Sequence, residues 1–220
     1  MWSAVGCNSI LGQWLRDAAG RRKRGDGGSA WLLRTAAGRS LLFDVPLLLE
    51  EHLAFLEQQP PGWIVLSHRQ GHGRCRRLQE RLGWPVLVQE QEAYLLPGVN
   101  PLDTFAEEHQ LASGLRLLWT PGPTPGSCVV HAPAPWNVLF CGRLLVPVAV
   151  GVLAGLQHRR TFHWLRQQRS LERLRDWVGV DPLLSLASGA GLGALRGERL
   201  PAISAWRDAA DSEVNPARLT

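Results

Sequence analysis

The sequence predicts an α/β fold in which two sheets pack together with helices on the outside, a four-layer αβ/βα sandwich. Apolar runs of strand length come in groups, each followed by a helical pattern, in the order ββα βα β and then βββ α βα, two loosely matching halves. The 220 residues suit one substantial core. A content of 45% hydrophobic and 20% charged residues is that of a globular chain, not a disordered one.

Residues 1–28 read as an N-terminal extension, an apolar start around Ile10 to Leu15 followed by the basic loop "GRRKRGDGG"; the main domain spans 29–220. Within it, "AWLLRTAAGRSLLFDVP" is two apolar runs joined at "TAAGR", where Gly38 can supply the positive φ of a hairpin ending at Asp44. "LLLEEHLAFLEQ" places Leu47, Leu48, His52, Phe55 and Leu56 near one helical face, and "QPPG" stops it. A short buried strand, "GWIVLSH", a basic helix, "RCRRLQERLG", and a second strand, "PVLVQE", come next. From Tyr94 to Gly114 the pattern weakens into loops with irregular strands.

"LRLLW", "CVVHAP" and "WNVLFCG" are strands separated by the turns "PGPTPGS" and "APAP". Two helical stretches follow, the longer being "TFHWLRQQRSLERLRDWV" with Phe162, Leu165, Leu171, Leu174 and Val178 at about helical period. "DPLLSLASGAG" is a strand leaving into a glycine loop, and "ERLPAISAWRDAA" closes the chain as a helix starting near Pro201.

Composition bounds the function. The formal charge is +5, and 23 of the 24 basic residues are arginine, Lys23 being the exception. That balance is compatible with anionic partners but lacks the dense basic stripe of a nucleic-acid footprint. The longest apolar run, Leu144 to Leu156, carries Pro147 and is too short to span a bilayer, so it reads as a buried segment and no membrane partner is expected. Cys7, Cys75, Cys128 and Cys141 form no C-x-x-C pair, and no signal peptide is visible, which points to reduced thiols and a cytoplasmic protein.

Other chemical readings are weak. Cys128 and Cys141 fall opposite one another if the "APAP" hairpin is symmetric, although two buried free thiols are the simpler reading. His158 and His163 do not share a helical face. "SGAGLGA" fits G-x-G-x-x-A, but too little chain follows for a second βαβ unit.

Four strand ends hold the residues of interest: "LSHRQGHGRC", "TPGPTPGS", "LFCGRLL" and "LASGAG". In this order they resemble the metallo-β-lactamase fold superfamily over residues 29–193. "TPGPTPGS" looks like its P-G-H-T-P-G-S turn, "LFCGRLLV" like its F-x-G-D strand end, and "LLFDVP" like its early I-D-x-G strand, with Asp44 at the aspartate. The resemblance implies a metal-dependent hydrolase in which one or two metal ions, usually zinc, activate a water.

The ligands the resemblance requires are mostly replaced. Pro123 stands at the turn histidine and offers no donor; Arg143 stands at the strand-end aspartate and carries a fixed positive charge; Ala190 stands at the late histidine. If His68 takes the first histidine of the H-x-H-x-D-H loop, then Gln70, His72 and Gly73 fill its other positions. If the loop holds two extra residues, Gln70, His72, Arg74 and Cys75 are matched instead. His68 and His72 are the possible residual metal ligands, and Asp44 is a structural site residue. The expectation is a degenerate member without metal that uses its former cleft to bind another protein or a small anion, the latter drawn by Arg143 and the Arg74, Arg76 and Arg77 group. The alternative is a zinc-dependent esterase- or thioesterase-like hydrolase with an atypical site.

Overall fold

The computed structural model describes residues 10–11, 28–35, 37–111, 114–179 and 184–207. The basic loop of the N-terminal extension and everything beyond Arg207 lie outside them.

The first half builds one sheet. Strand β1 (Ile10–Leu11) pairs antiparallel with β2 (Trp31–Arg34), and β2 with β3 (Ser40–Phe43), Leu32 facing Leu42 and Leu33 facing Leu41. The connection turns at Gly38, whose φ of 73° is in the left-handed region that glycine tolerates without strain. After β3 the chain runs through α1 (Glu50–Glu57), β4 (Gly62–Leu66), α2 (Cys75–Leu82), β5 (Val86–Gln89) and, past a 3₁₀ turn at Glu90–Leu95, β6 (Leu102–Phe105). Strands β3 to β6 are mutually parallel, so the order is β1-β2-β3-β4-β5-β6. The N–H of Gly83 caps α2 in left-handed conformation by bonding the Gln79 carbonyl.

The second half supplies β7 (Glu108–Gln110), β8 (Arg116–Trp119), β9 (Cys128–Ala132), β10 (Val138–Gly142), the hairpin β11 (Val146–Ala149) and β12 (Val152–Ala154), α3 (Trp164–Val178), β13 (Ser185–Ser188) and β14 (Trp206–Arg207). Its main sheet runs β13-β10-β9-β8-β7, and β11, β12 and β14 make a small third sheet.

Alternation along the strands sorts the two cores. Leu33, Leu41, Phe43, Val65 and Leu87 face inward and pack with Leu117, Val130, Leu139, Phe140 and Leu186 of the second sheet. Their neighbours Leu32, Leu42, Ile64, Leu66, Val86 and Val88 face outward and pack with Leu53, Leu56 and Leu78 of α1 and α2. Helix α3 joins the larger core through Leu174, flanked by Leu171 and Trp177. Each fully buried leucine contributes about 1.5–3 kcal/mol. The two-sheet α/β sandwich is therefore the observed architecture.

Three elements differ from the sequence reading. The apolar run 144–156, read as a buried segment, is the β11/β12 hairpin, and of the two helical stretches expected after β10 only α3 forms among the described residues. Val146, Val152 and Leu153 are buried while Pro147 to Ala149 run along a half-covered edge, a strand environment that the local apolar period does not distinguish from a helix. The closing helix does not form over 201–207; a 3₁₀ turn at Ile203–Ala205 leads into β14, because backbone pairing with β12 captures Trp206 and Arg207. Finally, β9 and β10 pair as Val138↔Ala132, Leu139↔His131 and Phe140↔Val130. Cys128 and Cys141 thus miss one another by one residue, which puts them on opposite faces. Both are free thiols, the first reaching the Leu66 carbonyl and the second that of Ala187.

Candidate functional site

The ends of β3, β4, β10 and β13 converge at one edge of the sandwich. Backbone bonds join them: the Asp44 N–H donates to Val65 O, Cys128 N–H to Ser67 O at 2.9 Å, and Gly189 N–H to Gly142 O at 2.7 Å. Glycines make the approach possible. A Cβ on Gly71 would lie 2.2 Å from Asp44 Oδ1, and one on Gly142 would lie 2.8 Å from Ser67 Oγ.

Asp44 stands at the centre of this junction, in left-handed backbone at φ 63° and 3% exposed. Its carboxylate accepts the Ser67 N–H at 2.8 Å and the Ser67 hydroxyl at 2.6 Å. Burial pushes its pKa up to about 6, against the opposing pull of the Ser67 hydrogen bonds and of His72 and Arg143. His68 is 2% exposed, with Nδ1 2.7 Å from Ser67 Oγ and 3.6 Å from Asp44 Oδ2. Burial, with Arg143 and His72 adding repulsion, lowers its pKa well below the usual imidazole range, so this ring is neutral.

His72 belongs to a different cluster. Its Nε2 faces Glu92 Oε2 at 3.4 Å, while Glu92 Oε1 accepts the Gly126 N–H at 3.1 Å and lies 3.6 Å from Arg69 Nε. Glu92 is fully buried. Burial opposes its charge, yet the nearby His72 and Thr124 and the hydrogen bond from the Gly126 N–H outweigh it and hold the carboxyl below its ordinary range. Glu92 therefore ties the 68–75 loop to the 120–127 turn. No motif marks it: it lies on the 3₁₀ turn that directly follows β5.

The turn itself is held from within and from α3. Thr124 N–H donates to Ser127 Oγ at 2.9 Å, and the Trp119 indole donates to the Pro125 carbonyl. The carbonyls of Gly122 and Pro123 accept from the N–H groups of His163 and Phe162, and a Cβ on Gly122 would strike Gln167 Cα at 2.4 Å.

Cavities bring some predicted residues together and separate others. One, of about 620 Å³, is lined by Asp44, His68, Gln70, Arg74, Arg143 and Arg160, with an apolar wall from Val45 to Leu49. A second, of about 590 Å³, is lined by Pro123, Gln70, Arg143, His158, Arg159, Arg160 and Gln167. Gln70, Arg143 and Arg160 border both. His72, Cys75, Arg76 and Arg77 line a third groove with Glu80, so of the expected arginine group only Arg74 reaches the cavity of Arg143. Ala190 is 7% exposed and engaged through its backbone, its N–H donating to Ser188 Oγ and its carbonyl accepting from Ser29 Oγ.

This arrangement does not fit a zinc or iron centre. Both Asp44 oxygens and His68 Nδ1 serve Ser67 or each other, His72 Nε2 faces Glu92 Oε2 at 3.4 Å without a hydrogen bond, and burial pushes the Cys75 thiol up to about 12, away from the thiolate a metal needs. Arg143 brings a positive charge to the same edge. Among the described residues, no three His, Cys, Asp or Glu side chains form a group that could hold a metal ion.

Neither protein-family models nor curated proteins match the sequence. Solved structures do match in shape. The BLEG-1 B3 metallo-β-lactamase is similar at a TM-score of 0.62 with 19% identity, covering 80% of this chain and 90% of its own. A protein solved in a di-iron-bound form gives 0.60 with 24% identity, covering 79% and 94%. A quorum-quenching N-acyl homoserine lactone hydrolase gives 0.57 with 18% identity, covering 78% and 83%. At such identities the likeness speaks for architecture, and together with the converging strand ends it leads to one conclusion: the chain has the metallo-β-lactamase fold.

Proposed function

We propose that the cleft bordered by Arg143 binds a small anion and that this chain is a non-catalytic, metal-free member of its fold. The observation that carries this reading is the lining of the cavity beside Pro123: Arg143, Arg159, Arg160, His158, Gln70 and Gln167 contribute positive charge and amide donors, and none of the described residues that line it is a carboxylate. In a recess partly screened from water, guanidinium groups bind carboxylate or phosphate oxygens through paired, charge-assisted hydrogen bonds.

Hydrolysis by a bound metal is the competing reading, supported by neighbours such as the lactone hydrolase. It needs three or four protein ligands around the ion. Two measurements separate the readings. Elemental analysis after mild purification is expected to find no stoichiometric zinc or iron, and calorimetric titration with phosphate, sulfate and small carboxylates is expected to show binding that Arg143→Ala weakens. Two tightly held equivalents of zinc, with metal-dependent esterase or thioesterase activity lost in a His68→Ala, His72→Ala variant, would overturn the proposal.

A further inference from the structure

The anion-binding reading leaves one buried group unused. Asp44, Ser67 and His68 form a continuous hydrogen-bonded chain, and its proton positions follow from the donors present. The Ser67 hydroxyl has one proton, and with Asp44 ionised, above its pKa of about 6, that proton goes to Asp44 Oδ2 at 2.6 Å. In the contact between Ser67 Oγ and His68 Nδ1, at 2.7 Å, the imidazole must then be the donor. His68 therefore carries its proton on Nδ1, and Nε2 keeps its lone pair. Among the described residues nothing donates to Nε2; His68 does not line the recess beside Pro123, but it lines the adjoining cavity, which shares Arg143, Arg160 and Gln70 with that recess.

We infer that His68 Nε2 is a hydrogen-bond acceptor held ready for the ligand, so that an anion held by the arginines common to both cavities carries a hydroxyl, or an equivalent donor, that reaches into the cavity His68 lines. This deepens the anion-binding reading and rests on it: arginines take the charge, and His68 selects for a neighbouring donor. An anion of the same size without the hydroxyl gives the imidazole nitrogen no donor from the ligand, and a site built to hydrogen-bond a substrate group discriminates against the analogue that lacks it. His68 is a specificity residue here, and Asp44 and Ser67 are positioning residues that act through it by fixing the tautomer.

The test uses matched probe pairs that differ only in the hydroxyl, lactate against propionate and hydroxymethylphosphonate against methylphosphonate, titrated into the full-length protein. The hydroxylated member of each pair is expected to bind about tenfold more tightly. His68→Phe should retain anion binding and lose the preference, whereas Arg143→Ala should weaken both members alike. Nitrogen-15 shifts of His68 should show Nδ1 protonated in the free protein and Nε2 moving on addition of lactate but not propionate. Equal affinities within each pair, or a proton found on Nε2, would overturn this inference while leaving anion binding intact. Failure of every probe to bind, or indifference to Arg143→Ala, would overturn the anion-binding reading and this inference with it.

Discussion

His72 Nε2 and Glu92 Oε2 face one another at 3.4 Å, beside the backbone bond from Cys128 N–H to Ser67 O that joins the same two segments. The loop bearing His72 follows β4, the turn bearing Gly126 precedes β9, and the buried Glu92 reaches both. Removing one member of a buried pair leaves the other without compensation. Glu92→Ala is therefore expected to destabilise the fold by about 3–5 kcal/mol, read by denaturant unfolding, and Glu92→Gln by less. Because the folded pKa is depressed, this stabilisation is present above the unfolded value and is lost as pH falls through the folded one. Acid unfolding of the Gln variant should accordingly show a shallower pH dependence.

Asp44 behaves in the opposite sense. Its folded pKa of about 6 is above its ordinary value of 3.8, so its contribution is fully present below the ordinary value and is lost as pH rises through about 6. The rise corresponds to about 3 kcal/mol. Asparagine can still accept the Ser67 N–H, can donate to the Ser67 hydroxyl, and tolerates left-handed backbone. Asp44→Asn should raise stability at pH 8 by about 1–2 kcal/mol and flatten the slope between pH 4 and 7, measured by unfolding across that range.

Two glycines offer a matched contrast. Gly122 has φ 148° and no room for a Cβ beside Gln167, whereas Gly38 has φ 73° and nothing within 4 Å. Gly122→Ala should cost about 2–4 kcal/mol and Gly38→Ala about 1 kcal/mol, compared by thermal unfolding. Equal losses would mean that α3 does not seat on the turn as described.

The thiols give a chemical test. Burial pushes Cys75 and Cys141 up to about 12 and Cys128 well above its ordinary value. In a Cys7→Ser background, a thiol reagent at pH 8 should label none of the three until denaturant is added. Rapid labelling of one in the native protein would show that its strand end opens.

Much of the fold is legible where a single physical signal acts alone. The β2/β3 hairpin follows from alternating apolar residues around Gly38 and α2 from a basic helix ended by Gly83; α3 forms where its apolar period places it, but of the residues read on that face Phe162 precedes the helix and both it and Leu165 are exposed. Where two signals compete, reading fails. The run 144–156 is apolar throughout and so carries no usable period, and the fate of Trp206 depends on β12, more than fifty residues earlier. The site divides in the same way. Pro123, Arg143 and Ala190 stand out because a resemblance marks their places, and Asp44 because it ends a strand. Ser67 and Glu92 stand out for nothing, since their roles exist only through partners distant in the chain, Asp44 for the one and Gly126 for the other. The separation of Arg76 and Arg77 from Arg143 is likewise a matter of which side of a loop each lines.

Arg143 borders two recesses at once. Any mutation there is pleiotropic: it cannot retune one chamber without disturbing the other, so neither can drift toward a new occupant alone. A saturation library at this codon would sample both compartments jointly, and a variant selected for a larger occupant on one side would carry its consequences to the other.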